Sequence, residues 1–457
     1  MNHSEIEADT ARTSLLARRK SLFRRIHFWA ALIASPFTVI AALTGILYIF
    51  TPQIETVLYD RLDHVTPAGV MRPLDEAVIA ATAAAPAEWR LHSVVPAYVP
   101  HDTVKVNFMP VALTPSEHEG HNHGPVRAPS VAQSTFGLPA QTVAVYVNPY
   151  TTEVTGSLAN QARFNIWAKK LHSRLLQGEN WRWMIELAAS WLMVLLVTGI
   201  YLWWPRSGQK ALPQVGAKGR IAWKQWHAFI GVALSVMSFA ILTTGLTWSK
   251  YAGDQIRAFR NGIGQAPLQA PRHLQSALQD GASPLTWQAA WDAARRQAPD
   301  VALQLIPPRE SQDTWRASAA DRGQPTKWFD LQLDAYSGKP LYYAGWDKQT
   351  AFGKATAIGI PFHRGEFGWW NQVLLLLFGA GVLFSLVSGW VMFFKRRQPG
   401  SFGLPRLLPG AWKSASTVTW LMAAVMFAAM PLLALSTVIV LTLEVAIQRS
   451  WRRTPAI

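Results

Sequence analysis

Residues 24–50 read RRIHFWAALIASPFTVIAALTGILYIF: two arginines, a histidine at position 27, then an uninterrupted apolar run with Leu43-Thr44-Gly45 near its far end. About 20 helical residues cross the roughly 30 Å apolar layer of a bilayer, and this run is long enough. The pattern returns 200 residues later, as Lys224-Gln-Trp-His227-Ala228 followed by Thr243-Thr244-Gly245. The rest of the 457-residue chain agrees with a membrane setting. Half of it is hydrophobic and only 15% is charged, against about 25% in soluble domains. Its 22 tryptophans are of a type that concentrates where a membrane meets water. An α-helical integral membrane protein is predicted.

Four spans are predicted, at 28–50, 183–204, 228–249 and 368–394, with a fifth at 417–443, where Pro431 predicts a kink. Basic residues orient them. Arg12, Arg18, Arg19, Lys20, Arg24 and Arg25 precede the first span. Arg206, Lys210, Lys218, Arg220 and Lys224 follow the second, and Lys395, Arg396, Arg397, Arg406 and Lys413 follow the fourth. The positive-inside rule places all three stretches in the cytoplasm, with the N-terminal tail, residues 1–27, and the loops 205–227 and 395–416. The net charge of +16 therefore speaks for anionic lipid, and nucleic acid is discarded as a partner. Five crossings would leave Arg449, Arg452 and Arg453, in the tail 444–457, on the far side, against the rule. The first span lacks a small-residue cleavage pattern and reads as an uncleaved anchor. Glu186 stands just inside the second span, where an interfacial position tolerates it.

Two long segments, 51–182 and 250–367, fall outside, too long to be plain loops. Each reads as a small α+β domain. The first has a helix at 73–85 and strands at 103–108 and 142–147; the second has a helix at 284–298 and strands at 315–319 and 328–333. The stretch 110–139, rich in Pro, Gly, Ser and His, reads as a mobile insertion.

The chain is built twice. The second span ends Leu196-Val-Thr198-Gly199 and the fourth Leu386-Val-Ser388-Gly389. Upstream of them stand Leu171-His172-Ser-Arg174 and Phe362-His363-Arg364, and the outer segments share Asn148-Pro-Tyr-Thr and Asp334-Ala-Tyr-Ser. Span, outer domain and span form the unit, and the two copies run parallel, about a pseudo-twofold axis along the membrane normal.

The repeat sorts the histidines by depth. His27 and His227 open spans from the inner side; His172 and His363 precede spans from the outer side. Eighteen residues separate His27 from Gly45 and His227 from Gly245, which is five full helical turns and about 27 Å of rise. Gly45 and Gly245 thus share the histidine face at the opposite surface, and Gly199 and Gly389 fall at the depth of His27 and His227. Two layers result, each with two histidines and two glycines. Imidazole is an axial ligand of haem iron, and a glycine makes room where a flat macrocycle presses on a helix. Arg24 and Lys224, a turn before the inner pair, and Arg174 and Arg364, beside the outer pair, could pair with propionates. Two haems are expected. With no cysteine, c-type attachment, Fe–S clusters, thiolate metal sites and disulfides are excluded.

This ordered set of motifs resembles the PepSY-associated transmembrane family over roughly residues 20–397. The set is Arg-x-x-His27 with Leu-Thr-Gly45, Leu-His172 with Leu-Val-Thr-Gly-Ile-Tyr-Leu-Trp-Trp-Pro205, Trp-His227 with Thr-Gly245, and His363-Arg-Gly365 with Ser-Gly389. The outer segments look like PepSY domains, with Val147-Asn-Pro-Tyr-Thr-Thr-Glu-Val154 close to that module's terminal hairpin. Family members include bacterial inner-membrane ferric-siderophore reductases with b-type haem. The resemblance implies a multi-pass inner-membrane protein that carries electrons from the cytoplasmic side to ferric siderophores or other ferric chelates in the periplasm. The fifth span and the histidine insertion are extra to the family pattern, and Thr151-Thr152 stands where the hairpin usually has Thr-Gly.

His118, His121 and His123 in the insertion could chelate Zn²⁺, Cu²⁺ or Ni²⁺. His64, His92, His101 and His273 have no partner in sequence and read as surface residues. There is no Gly-x-Gly-x-x-Gly after a strand and no Walker A motif, so a quinol or a cytoplasmic flavoprotein would have to donate the electrons. No carboxylate pair or Ser-His constellation stands out as a catalytic acid or base, which fits an electron relay. The competing reading is a non-redox accessory of iron uptake whose outer domains bind a peptide, a chelate or a partner while the spans only anchor them.

Overall fold

The computed structural model describes residues 3–111, 142–204, 212–268, 270–271, 274–278, 281–321, 323–398 and 403–453. In chain order its elements are α1 (His3–Ile49), α2 (Thr51–Asp63), α3 (Leu74–Ala83), β1 (Trp89–Val95), β2 (Val104–Pro110), β3 (Val143–Val147), β4 (Val154–Ala159), α4 (Phe164–Arg174), α5 (Trp183–Trp203), α6 (Gly219–Ala233), α7 (Ser235–Leu246), α8 (Tyr251–Gly262), α9 (Trp287–Gln297), β5 (Leu303–Ile306), β6 (Trp315–Ala319), β7 (Phe329–Leu333), β8 (Pro340–Gly345), α10 (Ala351–Arg364), α11 (Trp369–Arg396), α12 (Thr417–Ala429) and α13 (Pro431–Arg453). They form two units: Met1–Ile49, Lys170–Gln265 and Phe362–Ile457 make the first, Phe50–Lys169 and Ala266–Pro361 the second.

The first unit is helical. Among the described residues, Thr13–Ile49, Glu179–Trp203, Trp369–Arg396 and Pro431–Gln448 are each long and apolar enough to cross a membrane, and α6 with α7 makes a fifth such segment bent by 57°. The bend replaces the straight span expected at 228–249. It falls at Leu234, whose side chain occupies the notch left by Gly381 on α11. Gly379, one turn-face away, receives Ile46 of α1; small residues of this kind let membrane helices approach closely. The basic N-terminal stretch is helical too, as the start of α1.

The fifth span expected at 417–443, with its kink at Pro431, is two helices, of which Pro431–Gln448 is long and apolar enough to cross. Two helices break at Met430, and α12 alone, with 13 residues, rises only about 20 Å. Met430 and Leu433 pack with Leu246 and Ala252, at the end of the bundle away from His27. Glu444, two-thirds along α13, bonds Arg25 and Trp29 beside His27. So α12 runs away from the His27 end and α13 returns to it. The start of α12 lies toward that end as well, since the Ser414 carbonyl just before it accepts Arg19 Nε at 2.6 Å. Leu421, Val425, Leu435, Val438 and Ile439 stay exposed on these helices, an apolar surface suited to lipid.

Glu186 is buried, with 1% exposure, where an interfacial position was expected. Its carboxylate accepts the amides of Tyr251 at 2.9 Å and Ala252 at 2.7 Å. Those are first-turn N–H groups of α8, which have no partner within their own helix. The negative charge also complements the helix dipole there.

The second unit is one eight-stranded antiparallel sheet, in the order β4-β3-β2-β1-β5-β6-β7-β8. Two separate domains were expected; instead β1 and β5 join the halves through Val94 and Leu305. The core gathers Leu74, Ala77, Val78 and Ala81 of α3 and Ala290, Ala293 and Ala294 of α9 against Val106, Phe108, Val145, Leu305, Leu331 and Leu333. Alanines at helical spacing let both helices lie close to the strands. The two helix starts cap each other. Asp75 accepts the amides of Trp287 and Gln288 at 2.8 and 3.1 Å, and the Gln288 side-chain oxygen accepts the amide of Leu74 at 2.9 Å. In the hairpins, Asn148 and Asp334 each turn the chain by accepting the amide two residues on, from Tyr150 at 2.8 Å and Tyr336 at 3.1 Å. Thr152 has φ 63° where the other hairpin has Gly338 at 68°, so the first hairpin holds a β-branched residue in the left-handed region.

Lys105 of β2 carries a pH-dependent contribution to this unit. Burial, then the nearby Arg163 guanidinium, pushes its ammonium down to about 8. Between about pH 8 and the ordinary lysine value near 10.4, the unfolded chain binds the extra proton, so stability rises with pH across that window. Thermal melts of the parent should show this rise, and Lys105→Met should flatten it and raise the melting temperature at pH 7. An unchanged pH slope in the variant would assign the rise to another group.

Candidate functional site

The four paired histidines all belong to the first unit, each seated on a hydroxyl–glycine pair of a neighbouring helix. His27 Nδ1, on α1, lies 2.9 Å from Thr198 Oγ1 on α5. His227 Nδ1, on α6, lies 2.9 Å from Ser388 Oγ and 3.1 Å from the Ser385 carbonyl on α11. His172 Nδ1, in the last turn of α4, lies 3.0 Å from Thr44 Oγ1 on α1. His363 Nδ1, in the last turn of α10, lies 3.1 Å from Thr244 Oγ1 on α7.

These hydroxyls set the tautomer. Thr198, Thr44 and Thr244 donate to the carbonyls four residues back, Val194, Ile40 and Ala240, at 2.6, 2.7 and 2.8 Å, and Ser388 donates to Ser385 at 3.0 Å. With its proton spent, each hydroxyl oxygen accepts. The imidazoles therefore donate through Nδ1–H and keep the Nε2 lone pair. Metal-binding histidines are prepared in this way, one nitrogen fixed by a hydrogen bond and the other left to coordinate.

The glycines complete each seat. A Cβ on Gly45, Gly245, Gly199 or Gly389 would stand 3.3, 3.3, 3.4 or 3.8 Å from the Cε1 atom of His172, His363, His27 or His227 respectively. Each glycine thus lets the edge of the imidazole on the neighbouring helix come close. The same pairings join each layer: His27 and His227 with Gly199 and Gly389 at one end of the bundle, His172 and His363 with Gly45 and Gly245 at the other.

Within the first layer the His27 and His227 rings stand 6.3 Å apart, centroid to centroid, with planes at 89°. Two imidazoles at this spacing could both reach one metal ion placed between them, at about 2 Å from each nitrogen. In the second layer His172 and His363 occupy the corresponding seats on Thr44 and Thr244. The chain turns sharply after each: Leu175 and Leu176 have φ 50° and 63°, and Gly365 has φ 77°. The leucines pay about 1–2 kcal/mol each for the left-handed region. At Gly365 only a hydrogen fits beside Ile49.

The four basic residues differ in state. Arg24 and Lys224 are exposed. Arg174 is paired with Glu179. Arg364 reaches Glu366 at 2.8 Å and the Tyr48 hydroxyl at 2.8 Å. Arg25, counted in sequence only as an orienting charge, is buried against Glu444 beside the first layer. His118, His121, His123, His273, Arg206 and Lys210 lie outside the described residues. His92 is half-buried on β1.

In the second unit the structure brings together His64, His101 and Asp102, which sequence reading left apart. The sequence signal was two histidines 37 positions apart, too far apart to suggest a pair.

The sequence pattern of the PepSY-associated TM region family matches residues 24–396, and the chain belongs to this family. The matched stretch holds all four seated histidines and their hydroxyl–glycine pairs and stops short of α12 and α13. Comparison with characterised proteins finds no match.

Proposed function

We propose that this chain is a haem b protein of a bacterial inner membrane that passes electrons across the bilayer to ferric chelates, such as ferric siderophores. The observation that carries the reading is the set of four histidines, each with Nδ1 on a hydroxyl, in two layers, one with its two rings 6.3 Å apart. The donor set fits iron in a macrocycle, since neutral imidazole is a ligand of haem iron and each layer holds two. His27 and His227 would hold one haem through Nε2, and His172 and His363 the other. When bound, each haem supplies one-electron exchange at its iron.

Thr198, Ser388, Thr44 and Thr244 hold the rings in one orientation, so that no ring turns when an electron arrives. The layers lie about 27 Å apart along α1, close to the roughly 30 Å apolar thickness of a bilayer, so one stands near each surface. Lys218, Arg220, Lys395 and Arg396 flank the His27 end, and α13 returns to that end, which supports its being cytoplasmic. Electrons would enter there from a quinol or a soluble flavoprotein. Each ferric ion takes one electron, and the Fe²⁺ formed binds hard oxygen ligands less tightly than Fe³⁺. The chain need supply no acid or base.

The test begins with the protein purified in detergent after expression with haem available. A Soret band that shifts on dithionite addition is the expected result; a folded, colourless protein would overturn the reading in favour of a non-redox accessory. The haems are then reduced without oxygen and mixed with a ferric siderophore. Haem reoxidation with Fe²⁺ trapped by ferrozine is expected. Reduced haems that ignore every ferric chelate would overturn the substrate class.

A further inference from the structure

A second group of ligand-type side chains stands in the second unit, away from the four seated histidines. The chain leaving α2 and the chain entering β2 run antiparallel there. Val65 N–H donates to the His101 carbonyl at 2.8 Å and Thr103 N–H to the Asp63 carbonyl at 3.0 Å. His64 and Asp102 form the bridge between these bonds. This backbone zipper, tightened by the Thr103 hydroxyl on the Leu62 carbonyl at 2.8 Å, holds His64, His101 and Asp102 at one place. Their candidate ligand atoms all lie within 4.8 Å of one another, and the two imidazole centroids are 5.3 Å apart.

Two further bonds prepare the group. Asp60, one turn before His64 on α2, stands with Oδ1 3.1 Å from His64 Nδ1. A carboxylate on one imidazole nitrogen fixes the ring and leaves the other nitrogen to coordinate. Asp102 accepts the Tyr98 and Val99 amides through Oδ2, at 3.3 and 3.1 Å, and keeps Oδ1 for a cation. His101 is exposed and His64 and Asp102 are partly so, which gives an ion access from water.

We propose that His64, His101 and Asp102 form a binding site for a divalent first-row transition-metal ion, with Asp60 orienting His64. Two imidazole nitrogens and one carboxylate oxygen select such ions over Ca²⁺ and Mg²⁺, which take oxygen ligands. Ligand atoms around a tetrahedral ion at about 2.0–2.2 Å stand about 3.4 Å apart, within the 4.8 Å that bounds this group. A fourth position stays open to water or to a donor from a ligand. The site stands apart from the haem reading and would persist if that reading fell.

The probe is Zn²⁺, titrated by calorimetry into the full-length protein in detergent, as purified. The parent for the comparison carries His118→Ala, His121→Ala and His123→Ala, so that the insertion contributes nothing. This parent should bind one Zn²⁺. His64→Ala and His101→Ala should each weaken binding at least tenfold, and so should Asp102→Asn, which keeps an amide oxygen for the Tyr98 and Val99 turn. Asp60→Asn should weaken it by about ten- to a hundredfold. Circular dichroism melts matching the parent's exclude misfolding as the cause. A parent that binds no Zn²⁺ at 100-fold molar excess overturns the proposal, and so does binding that survives unchanged in both histidine variants.

Discussion

His27→Ala and His227→Ala should each cut the haem content from two per chain to one, and His172→Ala and His363→Ala should do the same at the other layer. The two classes will differ in the spectrum that survives, because each removes one histidine that would hold a haem from a different layer. The paired geometry makes the loss steep. In the His27 layer each ring stands 6.3 Å from its partner, and the seat itself offers a hydroxyl and a glycine, neither of which can replace an imidazole as ligand. The hydroxyls should show a graded version of the same effect. Thr198→Val and Thr44→Val keep the shape but remove the acceptor for Nδ1–H, and losses of this kind weaken metal binding by about ten- to a hundredfold. Gly45→Leu should act on the His172 layer, since its side chain would enter the 3.3 Å gap to the His172 ring, although Gly45 shares a helix with His27. Haem content by pyridine haemochrome, with reduced-minus-oxidised spectra, reads all of these. Four histidine variants that retained two haems each would sink the assignment. Loss of the His27-layer signal in Gly45→Leu would contradict the seat.

Some of this was legible in the residues and some was not, for physical reasons. Long apolar runs mark α1, α5 and α11 because a bilayer demands length and hydrophobicity over a contiguous stretch. The 18-residue spacing from His27 to Gly45 shows which face and depth the glycine occupies. It does not show that the imidazole of His172 fills the space, because that depends on how α4 ends. The bend at Leu234 has no proline to announce it; its partner, Gly381, is 147 residues away. Strand alternation marked β2, β3, β6 and β7, which have a buried face. It passed over β4, an edge strand with no buried residue, and β5, only four residues long. One sheet rather than two rests on the β1–β5 pairing at Val94 and Leu305, residues far apart in sequence that carry no pairing code. The His64–His101–Asp102 group was invisible for the same reason.

The second large effect is expected at Glu444. Its carboxylate accepts Arg25 Nε at 3.0 Å and Nη2 at 2.9 Å, the Trp29 indole N–H at 2.8 Å and the Gln448 amide at 2.7 Å. The two charged side chains are 7% and 5% exposed. Arg25 also donates to the Pro405 carbonyl at 2.8 Å, so its guanidinium is committed to this place and cannot swing out to water. Glu444→Ala would leave it buried without its counter-charge, and breaking a buried pair from one side costs about 3–5 kcal/mol. The melting temperature in detergent should fall accordingly. Replacing both partners with apolar residues, Arg25→Met with Glu444→Leu, should recover most of the loss, because the desolvation cost disappears with the charges. The comparison separates two roles for α13, which lies outside the family match. If the pair only fastens the helix, the double variant restores both stability and the His27-layer spectrum. If the guanidinium two residues before His27 also tunes that layer electrostatically, stability returns while the reduction potential of the layer stays displaced downward, since a buried positive charge nearby favours the electron-bearing state. A single variant that melted within 1 °C of the parent would show that the pair carries neither role.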